Sequence, residues 1–358
     1  MSCTSTTLFL PELLANWPWP REINPHYEEV KKEADAWFRS FNAFSTRSQL
    51  AFDKCDFALL ASLAYPRVSK EHLRTGCDLM ILLFAIDEYT DMEHEIAVRE
   101  IIDIVIDAIN NPHKARPADE LVLGEIARQF WTLAIKTATR TSQCHMIEGL
   151  VANLEAVVQQ AADRDNDEYY SIASYLEFRR ENIGAKPAFV PMELHLDLPD
   201  EVFYHPVITE LSQYVTDMVI LDNDMNSYNK EQATGDDHAN IVTVVMHELH
   251  TGLDDAMEWI LKYHRELETK FLDGLKRVPS WSSEIDLHVQ QYVHGLANWP
   301  RGNDCWCFES GRYFGSKGLE VQRTRRVPLL PKICQTSIET PGRESIVVPL
   351  IDSMEVRA

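Results

Sequence analysis

Two short stretches of this 358-residue sequence combine residue types and spacing that suit a hard cation. The first, Asp87-Glu88-Tyr89-Thr90-Asp91, follows directly on the apolar run Leu79-Met80-Ile81-Leu82-Leu83-Phe84-Ala85-Ile86. On a helix, Asp87 and Asp91 lie one turn apart on the same side, where like charges repel. Mg²⁺ takes carboxylate oxygens and keeps its remaining positions for water or phosphate, so a cation would relieve that repulsion. The placement adds to the spacing, because acids that end an apolar helix sit at the rim of an apolar pocket. A helix end reaching solvent accounts for the same five residues, and the pentapeptide alone does not choose.

The second stretch is Asn223-Asp224-Met225-Asn226-Ser227-Tyr228-Asn229-Lys230-Glu231. Asn223, Ser227 and Glu231 fall at i, i+4 and i+8, which stacks an amide, a hydroxyl and a carboxylate on one helical face. All three offer oxygen to a hard cation, and another largely apolar segment, Tyr214 to Leu221, precedes them. The plainer alternative is a polar helix end at the surface. A calcium loop opening at Asp222 is excluded, since its sixth and twelfth positions require Gly and Glu and hold Ser227 and Ala233.

Cations on two such oxygen clusters could clamp a diphosphate, and cationic side chains should then assist. Arg179-Arg180 lies just before Gly184, Arg312-Tyr313 follows Gly311, and Lys230 sits inside the second stretch. Arg binds phosphate oxygens as a fork and Tyr adds a hydroxyl donor, although the Arg179-Arg180 and Arg312-Tyr313 pairs, each taken alone, read more readily as surface salt-bridge sites. His247-Glu248-Leu249-His250 places its second His one position short of HExxH. Asp236-Asp237-His238 reads as a turn with a helix N-cap. The seven cysteines are odd in number and include no CxxC pair; Cys305 and Cys307 flank Trp306 without a second pair to complete a metal site. This pattern suits a reducing, cytoplasmic setting.

The elements that must position these groups are helical. Apolar periodicity predicts helices over 26–43, 48–64, 70–91, 96–110, 119–139, 142–163, 170–182, 206–234, 238–275 (with a break) and 283–298. Residues 1–25, rich in Pro and Trp, read as an N-terminal arm. Residues 26–315 read as one all-α domain, and 316–358 as a basic, Pro-containing surface tail, partly disordered. No apolar run is long enough to span a bilayer, and no secretory signal opens the chain. A formal charge of −22 repels nucleic acid and anionic lipid alike. The expectation is a protein without nucleic-acid partners or stable membrane insertion, monomeric or homodimeric.

Taken together, these residues resemble the class I terpene cyclases, most closely the sesquiterpene synthases of fungi. Asp87-Glu88-Tyr89-Thr90-Asp91 is similar to that family's aspartate-rich motif in its DExxD form, with Glu88 in place of the second Asp. Asn223, Ser227 and Glu231 match the second metal motif, and Lys230 sits where many fungal members carry a diphosphate-binding lysine. Arg180 resembles the diphosphate-sensing arginine, and Gly184 the helix-break residue whose carbonyl senses ionisation. Arg312-Tyr313 matches the terminal RY pair, with Trp306 at the usual spacing before it. The likeness covers roughly residues 8–315, and the tail from about 320 has no assignable counterpart.

The resemblance implies a single-domain helical bundle around an apolar cavity. It implies three Mg²⁺ on Asp87, Glu88, Asp91, Asn223, Ser227 and Glu231, with Arg180, Lys230, Arg312 and Tyr313 as diphosphate donors. The implied reaction is ionisation of farnesyl diphosphate and cyclisation of the cation, giving a humulyl-derived, protoilludene-like hydrocarbon. Aromatic faces stabilise cations, and Phe84, Phe178, Trp306 and Phe308 are the candidate pocket wall. A chain-elongating prenyltransferase would carry a second DDxxD, and a class II cyclase a DxDD; neither is present. A prenyltransferase or a cyclase for a C10 or C20 diphosphate, and a non-catalytic helical binding module, remain the alternatives.

Overall fold

The computed structural model describes residues 7–91, 93–166, 170–332, 346–349 and 351–355. A short strand β1 (Thr7–Phe9) precedes α1 (Tyr27–Arg39), α2 (Thr46–Lys54), α3 (Phe57–Ala64), α4 (Lys70–Thr90), α5 (Glu95–Asn110) and α6 (Val122–Ala134). There follow α7 (Arg140–Asp165), α8 (Ile172–Asn182), α9 (Ala185–Phe189), α10 (Asp200–Phe203), α11 (Pro206–Thr234) and α12 (Ile241–Glu248). The chain ends with α13 (Leu253–Leu275), α14 (Ser283–Glu309), α15 (Gly318–Thr324), strand β2 (Arg326–Pro328) and α16 (Ile351–Glu355). Ser45, Ser69, Thr139, Ser171 and Ser282 each cap a helix through a side-chain oxygen, a contribution of about 1 kcal/mol apiece. Helix α11 packs against α13 and α14, α14 against α3, and α4 against α3 and α6. No helix among the described residues is long and apolar enough to cross a membrane.

Three boundaries differ from expectation, each for a local reason. The helix expected over 48–64 divides at Asp56, which adopts a left-handed conformation (φ 49°) and caps α3 by accepting from Leu59 N. Tyr27 Oη donates to the other oxygen of that carboxylate at 2.7 Å, which fixes the corner. Helix α14 runs eleven residues beyond its expected end, straight through Pro300. Proline withholds an N–H and crowds the preceding turn, and the Trp17 indole donates to the Ala297 carbonyl beside it at 2.9 Å. The bond that the proline removes is the one to the Leu296 carbonyl, and the N-terminal arm binds the helix one residue further on. Finally, the expected surface tail buries Val321, Val327, Leu330, Val348, Ile351 and Met354; the disorder expected for part of it falls on residues outside the described ones. Strand β2 pairs antiparallel with β1, Leu8 opposite Val327, and both residues are buried.

A buried polar cluster joins α7 to the segment after α9. His145 Nδ1 lies 2.9 Å from Glu193 Oε1 and its Nε2 3.3 Å from Asp200 Oδ1, while its ring stacks on Phe203. Burial disfavours the imidazolium, but the two carboxylates outweigh it and raise the His145 pKa. A raised histidine stabilises the fold fully below its ordinary value of 6.5 and loses that contribution as pH climbs through the raised value. The unfolding midpoint should therefore fall between about pH 6 and pH 8, with His145→Gln flattening the slope; identical slopes in thermal melts would remove the cluster as its source.

Candidate functional site

Along α4, the segment Leu79–Thr90 is buried except at Leu83, Phe84, Asp87 and Glu88, and Asp91 continues that open stripe at the C-cap. Along α11, Asn223 is the one open position between Val215 and Asn229. Both helices are thus packed on nearly all sides and open along one line, where the oxygen ligands stand. The Asp87 side chain is 48% exposed. Protein nevertheless surrounds it closely enough that burial, aided by Glu88, raises its pKa despite Arg312. Its open area faces a recess within the protein.

Arg312 and Tyr313 join the two motifs. Arg312 donates from Nη1 to Glu88 Oε1 at 2.6 Å and from Nη2 to Asp87 Oδ2 at 3.3 Å. Its guanidinium lies over the Phe84 ring, 4.9 Å from the centroid. The Tyr313 hydroxyl accepts from Asn223 Nδ2 at 2.9 Å. One dipeptide at the end of α14 therefore touches the last turn of α4 and the start of the motif on α11. Lys230 sits close enough to favour the ionised forms of Asp87 and Asp91.

Around Asn223 and Glu231 the contacts form a second shell. Asn240 Nδ2 donates to Glu231 Oε2 at 2.8 Å, to the Asp224 carbonyl at 2.8 Å and to Ser227 Oγ at 3.4 Å. Its own Oδ1 accepts from Val242 N and caps α12. Tyr175 Oη and Ile241 N both donate to Asp224 Oδ2. Sequence reasoning passed over Asn240, although an Asn directly before Ile241-Val242-Thr243-Val244-Val245 carries a helix-start signal.

The adjacent arginines part company. Arg180 forms a fork on Asp217 (2.7 and 2.8 Å). Arg179 instead reaches Asn223 Oδ1 and Asp224 Oδ1, both at 3.2 Å, and Asn182 Oδ1 at 2.6 Å. Neighbours on a helix point about 100° apart, and it is Arg179 that faces the second motif. Arg180, expected there, is directed at Asp217. A parallel correction applies at Gly184. It adopts the expected left-handed conformation (φ 75°), but its carbonyl accepts from Ala188 N at 3.2 Å within α9. The preceding carbonyl, on Ile183, lies four residues before Pro187, which has no N–H to give it. The break in the helix thus leaves the Gly184 carbonyl bonded to Ala188 and the Ile183 carbonyl without the N–H of residue 187.

Of the expected wall residues, Phe84 lies on the open stripe of α4, and Phe178, half-buried, stacks on Tyr170. Trp306 is completely buried; its indole donates to the Cys55 carbonyl at 2.7 Å, and it packs beneath Phe84 and Tyr313. Phe308 is 1% exposed and stacks on Phe314, with Arg325 on its ring. Trp306 supports the wall from behind, and Phe308 faces the tail; neither lines the recess.

The donor set fits hard divalent cations. Burial, then Asp87, Asp236 and Glu88, push the Asp91 pKa well above the ordinary carboxylate range. Burial with Asp224 and Asp236 brings Glu231 to about 7. Asp236, read from sequence as a turn residue, thus adds its charge to both motifs. Acids crowded in this way need a cation. Among the described residues no three His, Cys, Asp or Glu side chains enclose an ion by themselves. Arg179 Nε and Arg312 Nε each lack an acceptor among the described residues.

A Glu231 carboxyl that held a metal would have to lose its proton first, so on that reading cation affinity rises with pH, by about tenfold between pH 6 and pH 8. Calorimetric Mg²⁺ titrations in buffers of different ionisation enthalpy measure both the affinity and the released proton. A pH-independent affinity would show that Glu231 is not a ligand.

Comparison with known proteins agrees with this arrangement. The profile of Terpene synthase family 2, C-terminal metal binding, matches residues 78–270, which include both oxygen-rich stretches. Sesquiterpene synthase 14 of Postia placenta is 60% identical, over 98% of this chain and 100% of that protein. A Delta(6)-protoilludene synthase of Armillaria gallica is 54% identical, over 92% of this chain and 95% of its own. Among solved structures, α-eudesmol synthase matches with a TM-score of 0.74 at 18% identity, covering 83% of this chain and 99% of that one; it supports the fold alone. Identity this high, sustained over nearly the whole of both sequences, means that the chain belongs to terpene synthase family 2.

Proposed function

We propose that the chain ionises farnesyl diphosphate with the help of three Mg²⁺ and cyclises the cation to a humulyl-derived, protoilludene-like C15 hydrocarbon. As a terpene synthase it is a lyase acting on an isoprenoid diphosphate. The observation that carries the finer reading is the bridge from Asp87 and Glu88 through Arg312-Tyr313 to Asn223. It supports a reading in which two oxygen clusters, an arginine and a phenol act together beside the partly open Leu83 and Phe84. The names of the relatives support the substrate and product class.

Asp87, Glu88 and Asp91 would hold Mg²⁺ on one side, and Asn223, Ser227 and Glu231 on the other. Bound there, Mg²⁺ would neutralise the diphosphate and make it a leaving group. Arg312, Tyr313, Lys230 and Arg179 orient that anion, Arg179 and Arg312 as planar forks. Asn240 keeps the Glu231 carboxylate turned toward Ser227. Phe84 offers a ring face to the developing cation, and apolar Leu83 beside it offers no nucleophile.

Incubation with farnesyl diphosphate and Mg²⁺, followed by gas chromatography–mass spectrometry, should give a cyclic C15 hydrocarbon that is absent without metal. Asp87→Asn and Glu231→Gln should each lower turnover by about 100-fold with helical content intact; near-normal turnover in both would sink the metal assignment. Elongated diphosphates formed on adding a C5 diphosphate would favour a prenyltransferase instead.

The two arginines give a separate test. Arg179→Lys should cut kcat/KM by about tenfold or more, because a point charge replaces a fork. Arg180→Lys should lower the melting temperature while leaving kcat/KM within about threefold. The reverse pattern would restore Arg180 as the residue that meets the diphosphate.

A further inference from the structure

The face of α11 turned away from the metal motif is polar as well, and it is buried. Asp222, Asn226 and Asn229 succeed one another at i, i+4 and i+7, and all three are at most 5% exposed. Gln232 follows one turn later. Asp222 is satisfied within the bundle, by Asn303 Nδ2 at 2.6 Å and Asn226 Nδ2 at 3.0 Å. Asn229 and Gln232 are satisfied by the tail. Asn229 Oδ1 accepts from Leu330 N at 2.8 Å and its Nδ2 donates to the Pro328 carbonyl at 3.1 Å. Gln232 Nε2 donates to the Leu330 carbonyl at 2.8 Å. In an extended segment the C=O of one residue and the N–H two residues on point the same way, so a single amide grips both.

Those two side chains flank Lys230 and Glu231. Asn229 lies about 200° around the helix from both Ser227 and Glu231, so its grip sets the rotation at which they are presented. The tail contributes twice more at this place. Arg325, directly before β2, is the cation that opposes burial at both Asp222 and Asp304. Leu330 packs with Ala233, Ile351 and Met354 over the last turn of α11. An apolar face would have buried as well without fixing the register; paired amides impose one.

We infer that residues 325–330 form a latch, and that Asn229 and Gln232 are positioning residues through which it sets the second metal motif. This rests on the reading of Ser227 and Glu231 as ligands.

The test compares the full chain with Asn229→Leu and Gln232→Met. The readouts are the rise in melting temperature produced by Mg²⁺ with inorganic diphosphate, and the Mg²⁺ concentration for half-maximal turnover. Both variants should need about tenfold more Mg²⁺ in each assay, with the KM for farnesyl diphosphate at saturating metal little changed. A lower metal-free melting temperature with an unaltered Mg²⁺ requirement would overturn the latch, leaving these amides as packing. Should Asn229→Leu not fold, Gln232→Met removes a single donor and decides alone. No thermal response to Mg²⁺ with diphosphate in the unaltered chain would overturn the metal reading itself, and the latch with it.

Discussion

The site depends on one buried cation. Arg312 is 8% exposed and stands between Glu88, Asp87 and the face of Phe84. Without it, the carboxylates at the end of α4 would lose the cation that opposes them most strongly and keep only the weaker influence of Lys230 and Arg179 on Asp87, in a molecule already 22 charges negative. A buried charge lost from such a pair costs about 3–5 kcal/mol, a large part of the stability of any domain. The rest follows from holding this residue in place. Trp306 hydrogen-bonds to Cys55 beneath it, the Gly311 amide donates to the Lys54 carbonyl, and Tyr313 reaches across to Asn223. The packing of α14 against α2, α3 and α4 is therefore also the means by which Arg312-Tyr313 comes to join two distant motifs.

Much of this was legible from residue spacing. The two oxygen-rich stretches, the apolar segments before them and the RY pair could be placed because helical period alone decides which side chains share a face. Helix α11 has the expected bounds at both ends, since Pro206 opens it and Gly235, in a left-handed conformation, closes it. What could not be read was phase and company. Arg179 and Arg180 are chemically identical neighbours, and only the packing of α8 on α11 turns one toward Asn223 and the other toward Asp217. Pro300 reads locally as a helix stop, because Trp17, which binds the helix beside it, comes from the far end of the sequence. Asp236 carries no motif, and its proximity to Asp91 arises from the turn after α11. Phe308 has the composition of a wall residue and the surroundings of a core one.

The polar face of α11 shows the same limit. The stretch from Asn223 to Glu231 read equally as a polar helix end at the surface. Asn226 and Asn229 within it, and Gln232 just after, are buried instead; Asn226 bonds Asp222 one turn back on the same helix, and Asn229 and Gln232 bond a segment beyond the recognisable domain. An amphipathic pattern reports which residues avoid apolar company; it does not distinguish water from a neighbouring backbone.

The pairing of β1 with β2 has a consequence for how the molecule is made. In sequence these strands are separated by every helix from α1 to α15, so the contact closes only after all of those helices have been made. Because loop entropy grows only logarithmically with length, the late closure costs little more than a shorter one would. During synthesis, however, the back of α11 waits for Pro328 and Leu330 with its amides unsatisfied. A polypeptide that stops short of Pro328 and Leu330 leaves Asn229 and Gln232 to water.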